Sequence, residues 1–259
     1  MTAAGTLRLL GVGWWLQLKI HSRSAFDGIL GIFYPLFFAT SIFFIYGQGA
    51  DEVQLVSAAV GAAAMGVWSA VSTSAAISLQ RERNQGTLEL LVAAPTPFPL
   101  LVVPITLSMA TIGLYSFVAT LLWGRFAFGI QLSLDQPLAF VAGCLATAVA
   151  IGLMGFLLAI SAIRYRSSWA LGAALEMPIW LICGFIVPLA LLPDWVRPIA
   201  WVLPPTWGVA AVKDAALGGS PWPDIVLCLG IASIYAAIGT LLAHRLVDSA
   251  RTHATLSLS

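Results

Sequence analysis

Six stretches of this sequence run for 20 residues or more with almost no charge: 28–47, 53–79, 100–123, 138–162, 169–191 and 224–243. Each is long enough to cross the roughly 30 Å hydrocarbon layer of a bilayer at about 1.5 Å per helical residue. Hydrocarbon offers no water to a peptide group, so a crossing segment must satisfy its backbone as a helix or as a strand of a closed barrel. The runs are continuous rather than alternating in pieces of about ten residues, which selects helices. The expected fold is an all-α polytopic membrane protein, a single transmembrane domain over residues 1–259 with six spans. Composition agrees, since 60% of residues are hydrophobic and 9% charged. An ordinary soluble domain is about 45–50% apolar and about 25% charged.

Lysine and arginine set the orientation, because they accumulate on the cytoplasmic side. With an internal N-terminus, the cytoplasmic segments hold Arg8, Lys19, Arg23, Arg81, Arg83, Arg164, Arg166, Arg245 and Arg251. The external ones hold only Arg125, Arg197 and Lys213. Both termini are therefore expected in the cytoplasm, and the chain is expected as a multi-pass protein of the plasma or inner membrane.

Residues 6–24 precede the first span and place Leu7, Leu10, Trp14 and Leu18 at three- and four-residue spacing. That pattern fits an amphipathic interfacial helix, with Trp14, Trp15, Lys19 and Arg23 at headgroup depth. The polar leader is too long for the n-region of a signal peptide. Between spans five and six, residues 192–223 carry Trp195, Trp201, Trp207 and Trp222. Two short helices re-entering the outer leaflet are expected there, one over 207–217 capped by Thr206 and ended by Gly218 and Gly219. Cys144, Cys183 and Cys228 lie inside apolar runs without disulfide or metal spacing. His21, His244 and His253 flank the spans without ligand spacing, so no metal is expected. No G-x-x-x-x-G-K-[ST] occurs, so the chain has no P-loop with which to hold a nucleotide. No acid pair or Ser/His/Asp set falls in the spans, and no catalytic residue is assigned.

Glu176 is the one ionisable residue well inside a span, in LGAALEMPIWLICG, with Pro178 expected to kink the helix. Carboxyls at such depth are costly and tend to serve a function. The readings are a lining of the translocation path, a subunit contact, or a structural carboxyl bonded to a neighbouring hydroxyl.

A charged island, SLQRERNQGTLELLVAAPTPFPL, follows span two at Ser78–Leu100. The helix is expected to project past the headgroups through Arg81, Glu82 and Arg83, and to be interrupted at Gly86. Thr87 is placed to cap a short helix from Leu88 to Ala94, with Glu89 in its first turn. Leu88, Leu91 and Val92 fall on one side of it. Pro95 stops it, and Pro97 and Pro99 are expected to hold the return extended. Leucines exposed at a cytoplasmic surface need a partner protein or the lipid interface.

The run RERNQGTLELLVAAP resembles the cytoplasmic signature of type-2 ATP-binding-cassette (ABC) exporter permeases, through Glu82, Gly86, Thr87, Leu88, Glu89, Leu90, Leu91 and Pro95. Asn84 and Gln85 are uncharged where that family often has charges, and Ala94 stands where Thr is common. LPDWVRPIAWVLPPTWGVAAVKDA is similar to the family's external re-entrant region. The resemblance implies that residues 80–97 form a coupling helix docking on a separate ATPase. Leu88, Leu91 and Val92 would be the apolar plug, and Glu82, Arg83 and Glu89 its polar rim. It further implies two ATPase chains carrying ATP and Mg, and a second permease chain, identical or homologous. The chain itself would bind no cofactor and no nucleic acid. Spans nearly free of charge favour an amphipathic cargo: a drug, lipid or glycolipid. The alternative is a proton-coupled secondary carrier using Glu176.

Overall fold

The computed structural model describes residues 3–22, 25–46, 49, 51–94, 96–130, 134–164 and 168–253. Arg23, Pro95 and Arg166 lie outside the described residues. Among the described residues ten α-helices follow one another: α1 (Ala3–Ser22), α2 (Ala25–Tyr46), α3 (Glu52–Asn84), α4 (Leu88–Ala93), α5 (Pro99–Phe128), α6 (Pro137–Arg164), α7 (Ser168–Ile182), α8 (Arg197–Val202), α9 (Pro204–Leu217) and α10 (Pro221–His253). No strand occurs among the described residues. The helices over Val53–Asn84, Pro99–Phe128, Pro137–Ser161 and Pro221–Asp248 are long and apolar enough to cross a membrane.

The fifth expected span is the main departure. Its helix ends at Ile182 rather than continuing to 191. Fifteen residues rise about 22 Å, short of a roughly 30 Å crossing. Gly184 adopts φ +74° and turns the chain, and Pro188 precedes a single 3-10 turn over Leu189–Leu191. The turn is not left open: Cys183 and Phe185 are buried.

α3 is the axis of the bundle, touching α2, α5, α6, α7 and α9. Its buried stretch Ala58, Ala59, Val60, Gly61, Ala62, Ala63 and Ala64 is almost wholly small. Helices in lipid gain little from burying apolar surface, so van der Waals contact and close backbone approach must hold them together. Gly61 shows the limit of that approach. A Cβ built there would stand 1.7 Å from the Phe185 carbonyl oxygen and 2.7 Å from its carbon. α3 therefore receives the turn after α7 directly on its backbone. On its other flank a Cβ built at Gly113 of α5 would stand 2.8 Å from the Val67 Cα.

A second apolar cluster closes the end of the bundle where α3 finishes. Leu79, Phe98, Val102, Ile105, Phe156, Ala159, Ile160, Ala243 and Val247 come from α3, α5, α6, α10 and the residue preceding α5.

Gly61→Ala is expected to destabilise the chain by about 1–3 kcal/mol or more, since backbone atoms have to move to admit the methyl. Thermal unfolding of the detergent-purified variant measures this; an unchanged melting temperature would contradict the packing described.

Candidate functional site

The charged island folds as a helix stop followed by one short helix. The N–H of Gly86 bonds the Arg83 carbonyl and that of Thr87 the Glu82 carbonyl, both at 3.0 Å. Gly86 has φ +70°. This 5→2 and 6→1 pair around a left-handed glycine is a Schellman motif, which satisfies the last carbonyls of α3. A residue with a Cβ is strained at that φ, so glycine at position 86 ends the helix by its backbone as well as by weak helix propensity.

Thr87 holds the N-cap position of α4, and its carbonyl accepts the Leu91 N–H at 3.0 Å. Its hydroxyl makes no capping bond, contrary to expectation. It reaches back instead to the Glu82 carbonyl at 3.0 Å and donates to the Glu82 carboxylate. The backbone of Thr87 is already helical, φ −84° and ψ −17°, whereas a side-chain cap requires an extended residue. Thr87 thus ties α4 to the last turn of α3.

α4 ends at Ala93, and Ala94 turns extended at φ −58°, ψ 146°. Pro99 does not prolong that return. It is the first residue of α5, where a fixed φ and a missing N–H suit a helix start. Leu91 packs against the second apolar cluster, while Leu90 points outward at 71% exposure. Leu90 belongs to the signature but was not among the leucines expected on the apolar side. A six-residue helix with one turn against the bundle leaves that choice to tertiary packing. Arg81 is exposed, Glu82 and Arg83 are half-buried, and the side chains of Leu88, Glu89 and Val92 lie outside the described residues.

Glu176 faces α3, half-buried, and its Oε1 accepts a hydrogen bond from the Ser69 hydroxyl. Ser69 opens a hydroxyl-rich stretch, SAVSTSAAIS, that the sequence reading passed over because it lies inside an apolar run. Pro178 is carried within α7. One turn beyond Glu176, Trp180 is buried against Phe38 of α2, ring centroids 5.2 Å apart.

α1 lies on α5. Trp14 Nε1 donates to Thr111 Oγ1 at 3.0 Å, and a cavity of about 380 Å³ between α1, α5 and α6 is lined by Leu7, Leu10, Trp14, Leu114 and Leu145. Trp15 and Lys19 are exposed.

Two short helices do form after α7, with one boundary shifted. α9 starts at Pro204, so Thr206 sits inside its first turn rather than capping it. Prolines 204 and 205 supply the start, and Gly218 at φ +81° ends it. Among the described residues, no group of three or more His, Cys, Asp or Glu could hold a metal ion.

Residues 8–217 match a protein-family model described as ABC-2 type transporter. Among the curated proteins, no match to the chain was found.

Lys213 of α9 donates from Nζ to the Gly184 carbonyl at 2.9 Å. A cation placed just past the C-terminus of α7 meets the negative end of its dipole. Burial pushes the ammonium down from 10.5 to about 8. The unfolded chain keeps this proton to about 10.5 and the folded chain gives it up near 8, so the unfolded state holds more protons in between. Stability from this group therefore rises with pH through that window. The wild-type chain is expected to melt higher above pH 9 (roughly) than near neutrality, and Lys213→Met to flatten the difference; a profile unaltered by the substitution would contradict the assignment.

Proposed function

We propose that this chain, which belongs to the ABC-2 type transporter family and is a membrane permease subunit, exports an amphipathic cargo using ATP hydrolysed on partner subunits. The observation that carries the reading is the geometry of α4. A short helix is fixed to the end of α3 by the Schellman stop and the Thr87–Glu82 bond, and it presents Leu90 outward. An exposed leucine on a rigid, polar-rimmed helix suits a groove on an ATPase subunit. Leu90 would fill that groove, with Arg81, Glu82 and Arg83 at the rim. Leu91 would transmit the ATPase's motion into the second apolar cluster and so to α3, α5, α6 and α10.

In this reading α4 lies on the cytoplasmic side, which the arginine distribution supports, with α8 and α9 on the external side. α1 is a second contact for the ATPase. α2 and α7 complete six membrane-inserted segments, α7 ending within the outer leaflet. The functional complex contains two permease chains and two ATPases, since this chain has no P-loop of its own. Glu176 lines the cargo path.

Reconstitution with the cognate ATPase tests the proposal. Leu90→Asp is expected to weaken ATPase association by about 2 kcal/mol, roughly thirtyfold, and to abolish ATP-driven export while the chain still inserts. Leu91→Asp should lower stability as well, because it puts a charge against an apolar cluster. Export by the Leu90→Asp complex at the wild-type rate would overturn the docking assignment. Export that persists without ATP and collapses with the proton gradient would replace the reading with the proton-coupled carrier.

A further inference from the structure

We infer that the crossing of α3 and α7 recognises the protonated amine of a cationic amphiphile, which makes amine-bearing amphiphiles the cargo class. This rests on the permease reading and narrows it.

Two side chains at the crossing, Glu176 and Ser72, have hydrogen-bonding capacity that the described residues leave unfilled. Glu176 receives the Ser69 hydroxyl on Oε1, and no other described residue donates to its carboxyl. Ser72, three residues along α3 and so on the same face, is wholly buried, and its Oγ has no hydrogen-bond partner among the described residues. The Ser72 carbonyl lies 2.5 Å from where a Cβ at Gly172 would stand, and Gly172 is one turn before Glu176 on α7. The two helices therefore bring Ser69 to Glu176 and Ser72 to Gly172 along one seam.

The two helices bring no cation of their own to the seam. Neither the stretch from Val53 to Gln80 of α3 nor any part of α7 carries Lys, Arg or His. Lys213 is engaged two turns further along, at Gly184. An ionised carboxyl among apolar helices is costly unless a cation meets it. The acceptors on offer, a carboxyl oxygen and a serine oxygen, suit a group that brings both positive charge and several N–H donors. A primary or secondary ammonium has these; an alcohol, ester or anion lacks the charge. Beside the seam the half-buried Phe38 offers an apolar ring, with the buried Trp180 packed behind it. Met177, the next residue on α7, is exposed, so the carboxyl sits at the margin between packed core and open surface.

The test is binding to the detergent-purified full chain, comparing a long-chain primary alkylammonium with the alcohol of the same chain length. Wild type is expected to prefer the amine about tenfold or more, the scale of one charge-assisted hydrogen bond. Glu176→Gln should abolish the preference, and Ser72→Ala should reduce it several-fold. Ser72→Ala removes only a hydroxyl with no partner among the described residues, so it keeps the test decisive if the Gln variant does not fold. Equal affinity for amine and alcohol in wild type, a preference that survives Glu176→Gln, or one untouched by Ser72→Ala would overturn the assignment. Because binding needs no ATP, an amine preference in a chain that supports no ATP-driven export upholds the site and overturns the exporter reading alone.

Discussion

The close packing of α3 is the constraint on which the rest of the structure depends. Its alanine and glycine stretch lets the turn after α7 rest on backbone at Gly61, and lets α5 approach within contact of Val67. In lipid, where apolar side chains gain nothing by leaving their surroundings, such contacts and a few polar ones must supply the cohesion. Two of the polar ones fall on the same helix: Ser69 meets Glu176 in its middle, and Glu82 meets Thr87 at its end. A helix fixed along its length by small residues can transmit displacement from one end to the other, as a flexible connection could not.

The shortened α7 follows from that packing. Ending a helix inside a bundle leaves carbonyls to be satisfied, and the structure supplies the Lys213 ammonium to Gly184. That ammonium comes from α9, which packs between α6 and α10 rather than lying as a surface loop. Gly208 of α9 comes so near Thr147 of α6 that a Cβ there would stand 2.5 Å from its hydroxyl oxygen. The external element expected from tryptophans and prolines is thus part of the helical core, with Trp195, Trp201 and Trp222 left exposed at its edge.

Much of this was legible in the sequence, and the misses have physical causes. The long runs gave α3, α5, α6 and α10, because hydrocarbon length is a strong demand, although α10 continues ten residues past its expected end at 243. The end of α7 was hidden because Gly184 and Pro188 sit among apolar residues from Met177 to Leu191, so hydropathy continues where the helix stops. Gly86 was readable as a break, but the Thr87 hydroxyl was not: whether it caps forward or reaches back depends on a backbone conformation set by the Schellman turn. Thr206 yielded to Pro204 and Pro205 for the same kind of reason, since proline needs no capped N–H at a helix start. Glu176 stood out as a lone carboxyl. Its partner did not, because a serine in an apolar run carries no signal until two helices cross.

The division of labour between Leu90 and Leu91 connects the membrane bundle to the energy source. One leucine is held by four long helices through the second cluster, and its neighbour faces away from the chain. Site-specific photocrosslinking in the intact complex measures this arrangement directly. A crosslinker at position 90 is predicted to capture the ATPase subunit, and one at position 91 to label residues of the second cluster within the permease. Capture of the ATPase from position 91 but not from position 90 would contradict the account.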